Sequence, residues 1–440
     1  MNIHLVSLGC DKNLVDSEFM LGLIQNEGYI LTSLPEEAQV IIINTCGFIM
    51  DATQESIDTI LEMSSYKEEG SCKALIVTGC MAQRYRDEIF DQLPEVDAVV
   101  GVGDYDAIGQ VIRDAAAGEK VKLVSEKGAS AGFSGKRVLT SPSHFAYLKI
   151  AEGCDNHCTY CTIPSIRGAY RSRILESLLE ESVSLVRQGV QELILVAQDT
   201  SLYGKDLYGE PRLHELLSRL SQISDLVWIR VLYCYPEHIY PDLIQEIARN
   251  PKVCKYLDIP VQHSEDKILK LMGRKSSREK LSGIIKNLRE SVPGIALRTT
   301  LIVGFPGETK DDFKGLKDFV TNVGFDKLGA FAYSREEGTP AAKLPGQVDD
   351  KEKQRRYDEI MLLQQKISNE KNSKKHGEVI EVMVDGYLPD NEVYCGRSQG
   401  DCYEIDGMVY FPCDYQLNSG DLVKVKITGH SDYDLYGEIC

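Results

Sequence analysis

The stretch Glu152-Gly153-Cys154-Asp155-Asn156-His157-Cys158-Thr159-Tyr160-Cys161 decides how this chain is read. It follows a short apolar run at 146–150 with the length and composition of a buried strand. The cysteines are spaced Cys-x3-Cys-x2-Cys. A tight loop of this kind can offer three thiolates to three irons of one 4Fe-4S cluster, because thiolates are the usual ligands of such clusters. Three protein ligands rather than four leave one iron open to another molecule. A structural zinc site instead wants four closed ligands, and His157 would have to supply the fourth from inside the same loop.

Downstream of the loop the pattern repeats. Strands are expected at 146–150, 193–196, 227–232, 256–260, 296–303 and 328–332, and helices at 176–187, 213–222, 243–248, 278–291 and 311–323. Six strand–helix units in succession predict a partial (βα)6 TIM-like barrel, with its chemistry at the carboxyl ends of the strands. Polar or special residues stand just past most of those ends: Gln198-Asp199, Gln262-His263, Gly304 to Glu308 and Ser334 to Glu337. Gly304 and Gly307 would let backbone approach a cofactor closely. Gln198 and Arg298 are candidate cofactor contacts, a purely structural ion pair being as good a reading of Arg298. His263 reads as a polar strand cap.

Upstream, residues 1–118 also alternate strand and helix, with strands at 3–8, 40–43, 74–78 and 98–100, which predicts a parallel sheet with helices on both faces. Cys10, Cys46 and Cys80 each follow one of the first three strands. Carboxyl ends of parallel strands are where open α/β sheets bind ligands, and neighbouring strands lie about 4.8 Å apart, so three thiolates there can converge. Three ordinary buried cysteines would fit the same placement.

Residues 119–143 break the pattern with Gly128, Gly132, Gly135 and Pro142 and read as a linker. Residues 349–375 form a highly charged helix that looks like a connector closing a domain at 144–375. From 376 to 440 short alternating strands at 379–384, 392–397, 408–411 and 422–427 predict a small antiparallel β barrel.

Of 440 residues, 43% are hydrophobic and 26% charged, enough apolar material to exclude wholesale disorder, and no apolar run is long enough to span a membrane. The net charge of −18 lacks the basic footprint of a protein that grips nucleic acid. Thirteen cysteines, an odd number, behind a start without a secretory pattern, argue for a reducing cytoplasm and metal-bound thiolates rather than disulfides.

The Cys-x3-Cys-x2-Cys loop on a βα barrel, with Tyr160 before its last cysteine, resembles the radical S-adenosylmethionine (SAM) superfamily. The resemblance implies that SAM binds the open iron and is cleaved to a deoxyadenosyl radical, with Tyr160 packed near the adenine. Longer words resemble the methylthiotransferase family across essentially the whole chain. They are Ser7-Leu-Gly-Cys10-Asp-Lys-Asn13, Asn44-Thr-Cys-Gly-Phe-Ile49, Thr78-Gly-Cys80, Arg167-Gly-x-x-Arg-Ser-Arg173, Gly304-Phe-Pro-Gly-Glu-Thr309 and Tyr333-Ser-x-Glu-Glu-Gly-Thr-Pro340. The family implies a second 4Fe-4S cluster on Cys10, Cys46 and Cys80, and a carboxyl-terminal domain called TRAM.

Within the family, Lys12-Asn13, Gly47-Phe48-Ile49 and Ala197 to Gly204 look like the branch that modifies a β-carbon of an aspartate in ribosomal protein S-twelve. Charge agrees: residues 376–440 hold 13 Asp and Glu against 3 Lys and Arg, which repels RNA and suits a basic protein. The implied partners are that protein, free or in the small subunit, and a flavodoxin-type electron donor, with no membrane and no tRNA substrate, the enzyme acting as a monomer. The alternatives are a tRNA adenosine methylthiotransferase and, more remotely, a two-cluster electron carrier.

Overall fold

The computed structural model describes residues 1–125 and 137–440, in two compact units. The first contains Met1–Thr140, Lys149–Arg173 and Ser334–Ala342. The second contains Ser141–Leu148, Ile174–Tyr333 and Lys343–Cys440.

The sheet of the first unit consists of β1 (Asn2–Ser7), β2 (Ile30–Leu31), β3 (Val40–Thr45), β4 (Ala74–Gly79), β5 (Ala98–Val100) and β6 (Val121–Leu123), in the order β2-β1-β3-β4-β5-β6. All pairs are parallel. β3 and β4 are buried along their whole length, as a strand covered on both faces must be. Their side chains alternate between two cores. Val40, Ile42, Ala74 and Ile76 pack with Met20 and Ile24 of helix Asp11–Asn26 and with Ile108 and Ile112 of helix Ile108–Ala116. Ile41, Ile43, Leu75 and Val77 pack with Ile60 and Met63 of helix Met50–Ser64 and with Ile89 of helix Asp87–Gln92.

Two details depart from expectation. Val121–Leu123 is a strand of this sheet, not the start of a linker; part of the 119–143 segment lies outside the described residues. The helical stretch between β4 and β5 is not one helix but two, Cys80–Tyr85 and Asp87–Gln92, divided at Arg86, whose φ of 44° breaks the helical backbone.

β7 (Phe145–Lys149) opens the barrel. After it β8 (Ala151–Glu152) and β9 (Arg171–Ser172) pair antiparallel and close off the cysteine loop. The barrel continues with β10 (Glu192–Val196), β11 (Trp228–Val231), β12 (Tyr256–Asp258), β13 (Ala296–Val303) and β14 (Lys327–Ala332), neighbours in chain order. The β11–β12 seam is bridged at Ile229 and Val253, and the Cys234 amide donates to the Asp258 carbonyl at 2.9 Å. Helix Asp350–Lys374, expected as a connector, packs against β14 as the sixth barrel helix. Its inward stripe of Lys353, Arg356, Ile360, Gln364, Ser368 and Asn372 has helical spacing but is mostly polar. Gln364 Nε2 donates to the Phe325 carbonyl at 3.1 Å, and Arg356 Nη1 donates to Glu308 Oε1 at 2.8 Å.

The chain ends in a closed barrel of β15 (Val379–Leu388), β16 (Val393–Arg397), β17 (Val409–Phe411), β18 (Leu422–His430) and β19 (Leu435–Ile439), around Val382, Val384, Phe411, Val425 and Ile427. β19, which the sequence reading lacked, pairs parallel with β17, so the barrel is not purely antiparallel. Among the described residues no helix is long and apolar enough to cross a membrane.

Candidate metal centre

Register brings three cysteines that are distant in sequence to the same end of the sheet. Ser7 stands opposite Asn44 and Asn44 opposite Thr78, so β1, β3 and β4 end level with one another. Counted from that level, Cys46 and Cys80 each lie two residues on and Cys10 three. Cys10 is the N-cap of helix Asp11–Asn26, and Cys80 is the first residue of helix Cys80–Tyr85.

The turns need glycine. Gly9 has φ 86°, and a Cβ there would stand 2.8 Å from Cys46 Cβ and 3.1 Å from Cys46 Sγ. Gly79, at φ 93°, lies against the Thr45 backbone and the Asn44 side chain. Only glycine adopts that backbone without strain.

Buried polar groups lock the strand ends. Asn13 Nδ2 donates to the carbonyls of Leu8 and Thr45, both at 3.0 Å, tying the exits of β1 and β3 together. Asn44 Nδ2 donates to the Asn13 carbonyl at 2.8 Å and to Ser17 Oγ at 2.9 Å. Ser56 Oγ accepts from the Cys46 amide at 3.1 Å. These contacts account for the words around the cysteines, which sequence reading could match but not explain.

Electrostatically the three thiols form one group. Burial pushes Cys80 up to about 12; Arg167 opposes this, and Cys10 and Cys46 add to it. Cys46 is raised by burial and by Cys10. Buried thiols such as Cys46 and Cys80 need a cation to hold them as thiolates, which is what iron supplies.

The second trio lies in the same unit. Cys154, Cys158 and Cys161 are half-buried. Burial foremost, with Cys158 and Cys154 adding to it, raises Cys161 to about 12. The Cys161 amide donates to the Cys158 carbonyl at 3.0 Å, and Cys161 Sγ accepts from the Ile163 amide at 3.4 Å. His157 is exposed with φ 47°, and Tyr160 is half-buried in the loop. No three His, Cys, Asp or Glu side chains among the described residues converge where a single metal ion would sit. Each set offers three thiols, the donor chemistry that iron–sulfur clusters take.

Arg167, quoted above only within a motif, is buried in a network of charges. Its Nη1 donates to Asp16 Oδ2 at 3.1 Å and to Glu152 Oε2 at 2.9 Å. Its Nη2 donates to Asn13 Oδ1 at 2.5 Å and to Cys80 Sγ at 3.4 Å. Lys149 completes the network by pairing with Asp16 and, at 2.7 Å, with Glu152. Burial works against the charge on Arg167, but Cys80, Glu152 and Asp16 outweigh it and hold the guanidinium charged. No hydrophobic pattern announces such a residue.

The barrel candidates lie in the second unit. Gln198 is half-buried just past β10, and its neighbour Asp199 accepts from Ser201 Oγ at 2.5 Å and pairs with His238 at 2.8 Å. Gly304 and Gly307 have φ 72° and 82°. A Cβ at Gly304 would run into the Lys353 side chain, so helix packing alone already demands glycine there. The loop is wound around Glu308, which accepts from the amides of Gly304 at 2.6 Å and Phe305 at 3.0 Å. His263 Nδ1 accepts from the Glu265 amide at 3.0 Å, and burial lowers its pKa to about 3, so the ring is a neutral cap. Arg298 is a correction. It is the third residue of β13, at the amino-terminal end rather than the rim, where it donates to Asp258 Oδ1 at 2.9 Å.

Comparison with known proteins identifies each of the three domains. Residues 2–101 match the family described as Uncharacterized protein family UPF0004, 148–320 the Radical SAM superfamily and 377–440 the TRAM domain. The chain is 52% identical over 440 residues to "Ribosomal protein uS12 methylthiotransferase RimO" of Clostridium perfringens strain ATCC 13124, covering 100% of this chain and 98% of that one. To the protein of the same name from Clostridium botulinum strain Okra it is 50% identical over 439 residues, with the same coverage. In fold it is similar to the radical SAM methyltransferase TsrM of Kitasatospora setae, with a TM-score of 0.57 at 14% identity over 77% of this chain and 76% of that one. The cobalamin-dependent radical enzyme OxsB gives 0.51 at 12% identity, over 82% and 56%. The radical SAM family implies SAM and a 4Fe-4S cluster. Full-length identity of this degree, with all three domains in order, places the chain in the RimO family of radical SAM methylthiotransferases.

Proposed function

We propose that this enzyme inserts a methylthio group at the β-carbon of an aspartate in ribosomal protein S-twelve, using two 4Fe-4S clusters. One observation carries the reading: two separate thiol trios lie within one compact unit, one just past the ends of three adjacent parallel strands and the other in a single short loop. When bound, the clusters and SAM supply reductive generation of a carbon-centred radical and a source of sulfur.

The chain's own residues hold and shield these groups. Cys154, Cys158 and Cys161 would ligate the cluster that meets SAM. Cys10, Cys46 and Cys80 would ligate the auxiliary cluster. Tyr160 would pack on the adenine, and Gln198, Gly304 and Gly307 would line the rim. The RimO relatives are named for ribosomal protein uS12, and the charge of the TRAM barrel supports the same substrate. Of its three cations Arg397 is fully buried, leaving Lys424 and Lys426 exposed against Glu378, Glu381, Asp390, Glu392, Glu404, Asp414 and Glu438. Such a surface attracts a basic protein and repels phosphate. The enzyme would act in the cytoplasm as a monomer, reduced by a flavodoxin-type protein.

The test is a mass-shift assay on anaerobically reconstituted protein given SAM, reductant and sulfide, with small ribosomal subunits in one tube and tRNA in another. A methylthio group on an aspartate of the ribosomal protein, and none on tRNA, is the expected result. Modification of tRNA alone would overturn the substrate assignment.

A further inference from the structure

The short helix Ile163–Arg167 begins two residues after Cys161, the last cysteine of the radical SAM loop, and ends on the guanidinium that reaches Cys80 Sγ at 3.4 Å. The same guanidinium contacts Asn13 Oδ1, and Asn13 ties together the exits of β1 and β3. On its other edge Arg167 binds Glu152, two residues before Cys154, and Asp16. One planar fork therefore touches a ligand of one thiol trio, the clamp behind a second ligand and the residue that leads into the other trio. Arg167 is 1% exposed, Asp16 is fully buried and Glu152 is 4% exposed.

Two cations, Arg167 and Lys149, face two carboxylates, Asp16 and Glu152. The network is thus balanced in charge before any thiolate is counted. An Arg fork can serve four acceptors in fixed geometry; a lysine ammonium is a point charge on a flexible stem. Hydrogen bonds to the sulfurs are among the factors that set an iron–sulfur cluster's potential, and groups behind the ligands orient them.

We propose that Arg167 is a positioning residue for the auxiliary cluster: its hydrogen bond to Cys80 Sγ raises that cluster's reduction potential and fixes the strand-end thiols relative to the radical SAM loop. The inference rests on the two-cluster reading above. It makes the loop that follows one cluster an electronic determinant of the other.

The experiment uses the full-length chain carrying Cys154→Ala, Cys158→Ala and Cys161→Ala, so that any remaining cluster is the auxiliary one. Its midpoint potential is followed by EPR with Arg167 intact and with Arg167→Lys. The lysine variant retains the charge but not the fork. The expected result is a cluster retained in both, with a more negative potential in Arg167→Lys. An unmoved potential at full iron loading overturns the inference alone. Absence of any cluster while Arg167 is intact overturns the two-cluster reading and the inference together. Should Arg167→Lys not fold, pulsed EPR on the Arg167-intact chain grown with ¹⁵N-arginine decides. A guanidinium ¹⁵N coupling to the reduced cluster supports the hydrogen bond, and its absence overturns it.

Discussion

Arg397 of β16 and Glu192 of β10 form an ion pair of 2.7 Å in which neither side chain meets solvent. Glu192 also accepts from Arg230 Nε at 2.7 Å, and Arg397 Nε also pairs with Asp385 at 2.9 Å. Burial works to raise the pKa of Glu192, but Arg397 and Arg230 outweigh it and hold the carboxylate below its ordinary range. The carboxyl-terminal barrel is thus joined to the strand layer of the radical SAM barrel by buried charge. Removing one partner of a buried pair leaves the other uncompensated, at a cost of about 3–5 kcal/mol. Arg397→Met should therefore lower the urea midpoint markedly, and Arg397→Lys should recover only part of the loss. An unchanged midpoint in Arg397→Met would show that the pair contributes nothing.

Acid should weaken a neighbouring part of the same layer. Asp401 pairs with Lys327 at 2.6 Å. Burial alone would raise the Asp401 pKa, but Lys327 dominates and brings it to about 2. A carboxylate with a depressed folded pKa adds stability that is complete above its unfolded value near 3.9 and is lost as pH falls through the folded value. The shift corresponds to about 2 kcal/mol, lost between roughly pH 4 and pH 2. Asp406 moves the other way, raised by burial, and on acidification offsets part of that loss. Urea titrations of the wild type and Asp401→Asn at a series of pH values should differ most near neutrality and converge toward pH 2. A constant difference across the range would contradict the assignment.

The thiol trios make a prediction about iron. With two 4Fe-4S clusters the reconstituted chain holds about eight irons, and loss of either trio should leave about four. Cys80→Ala should drop iron content toward half yet retain the spectral change on adding SAM to the reduced protein. Cys158→Ala should drop iron content similarly and abolish that change. If Cys80→Ala retained full iron content, the three amino-terminal cysteines would be ordinary core thiols.

What the sequence could and could not announce follows from the physics of each element. The apolar run at 40–43 was legible because β3 is covered on both faces, and Cys154–Cys158–Cys161 because its ligands are local. Val121–Leu123 and Leu435–Ile439 were missed because each has few apolar residues, interrupted by Lys122 or by Gly437 and Glu438. Helix Asp350–Lys374 was taken for a connector because its buried stripe is mostly polar, satisfied by partners such as Phe325 and Glu308 that are distant in sequence. Arg167 has the same character: a buried arginine reads as a surface one until its acceptors are seen. Arg298 fitted a cofactor contact or an ion pair equally well in sequence, because its acceptor Asp258 lies on another strand and only the fold brings the two together.

Gly9 tests the geometry of the trio directly. A methyl group there meets Cys46 Cβ at 2.8 Å, and the left-handed φ adds about 1–2 kcal/mol for any other residue. Gly9→Ala should push the Cys46 loop away from Cys10 and lower auxiliary iron occupancy while leaving the radical SAM loop loaded. Gly28, also at positive φ but with open space around it, is the control. Gly28→Ala should cost similar backbone strain and no iron. Equal iron contents in the two variants would mean that the close approach of Gly9 to Cys46 is irrelevant to cluster assembly.

The acidic TRAM surface predicts a salt-dependent encounter. Asp390, Glu392 and Glu404 are exposed, on a barrel whose exposed cations are Lys424 and Lys426. Complementary charge acts mainly on association rate, and the attraction between exposed groups fades beyond a Debye length of about 8 Å at physiological salt. Replacing the three acids by lysine should raise the KM for the ribosomal protein several-fold at low salt, leave kcat within about twofold, and have a much smaller effect at high salt. The buried pairs at Arg397 and Lys327 are untouched, so folding stability should not fall with activity. A KM insensitive to both the substitutions and salt would show that the acidic face is solvated surface and that substrate selection resides in the barrel rim. Acquired activity on tRNA in the lysine variant would show instead that charge alone had kept RNA away.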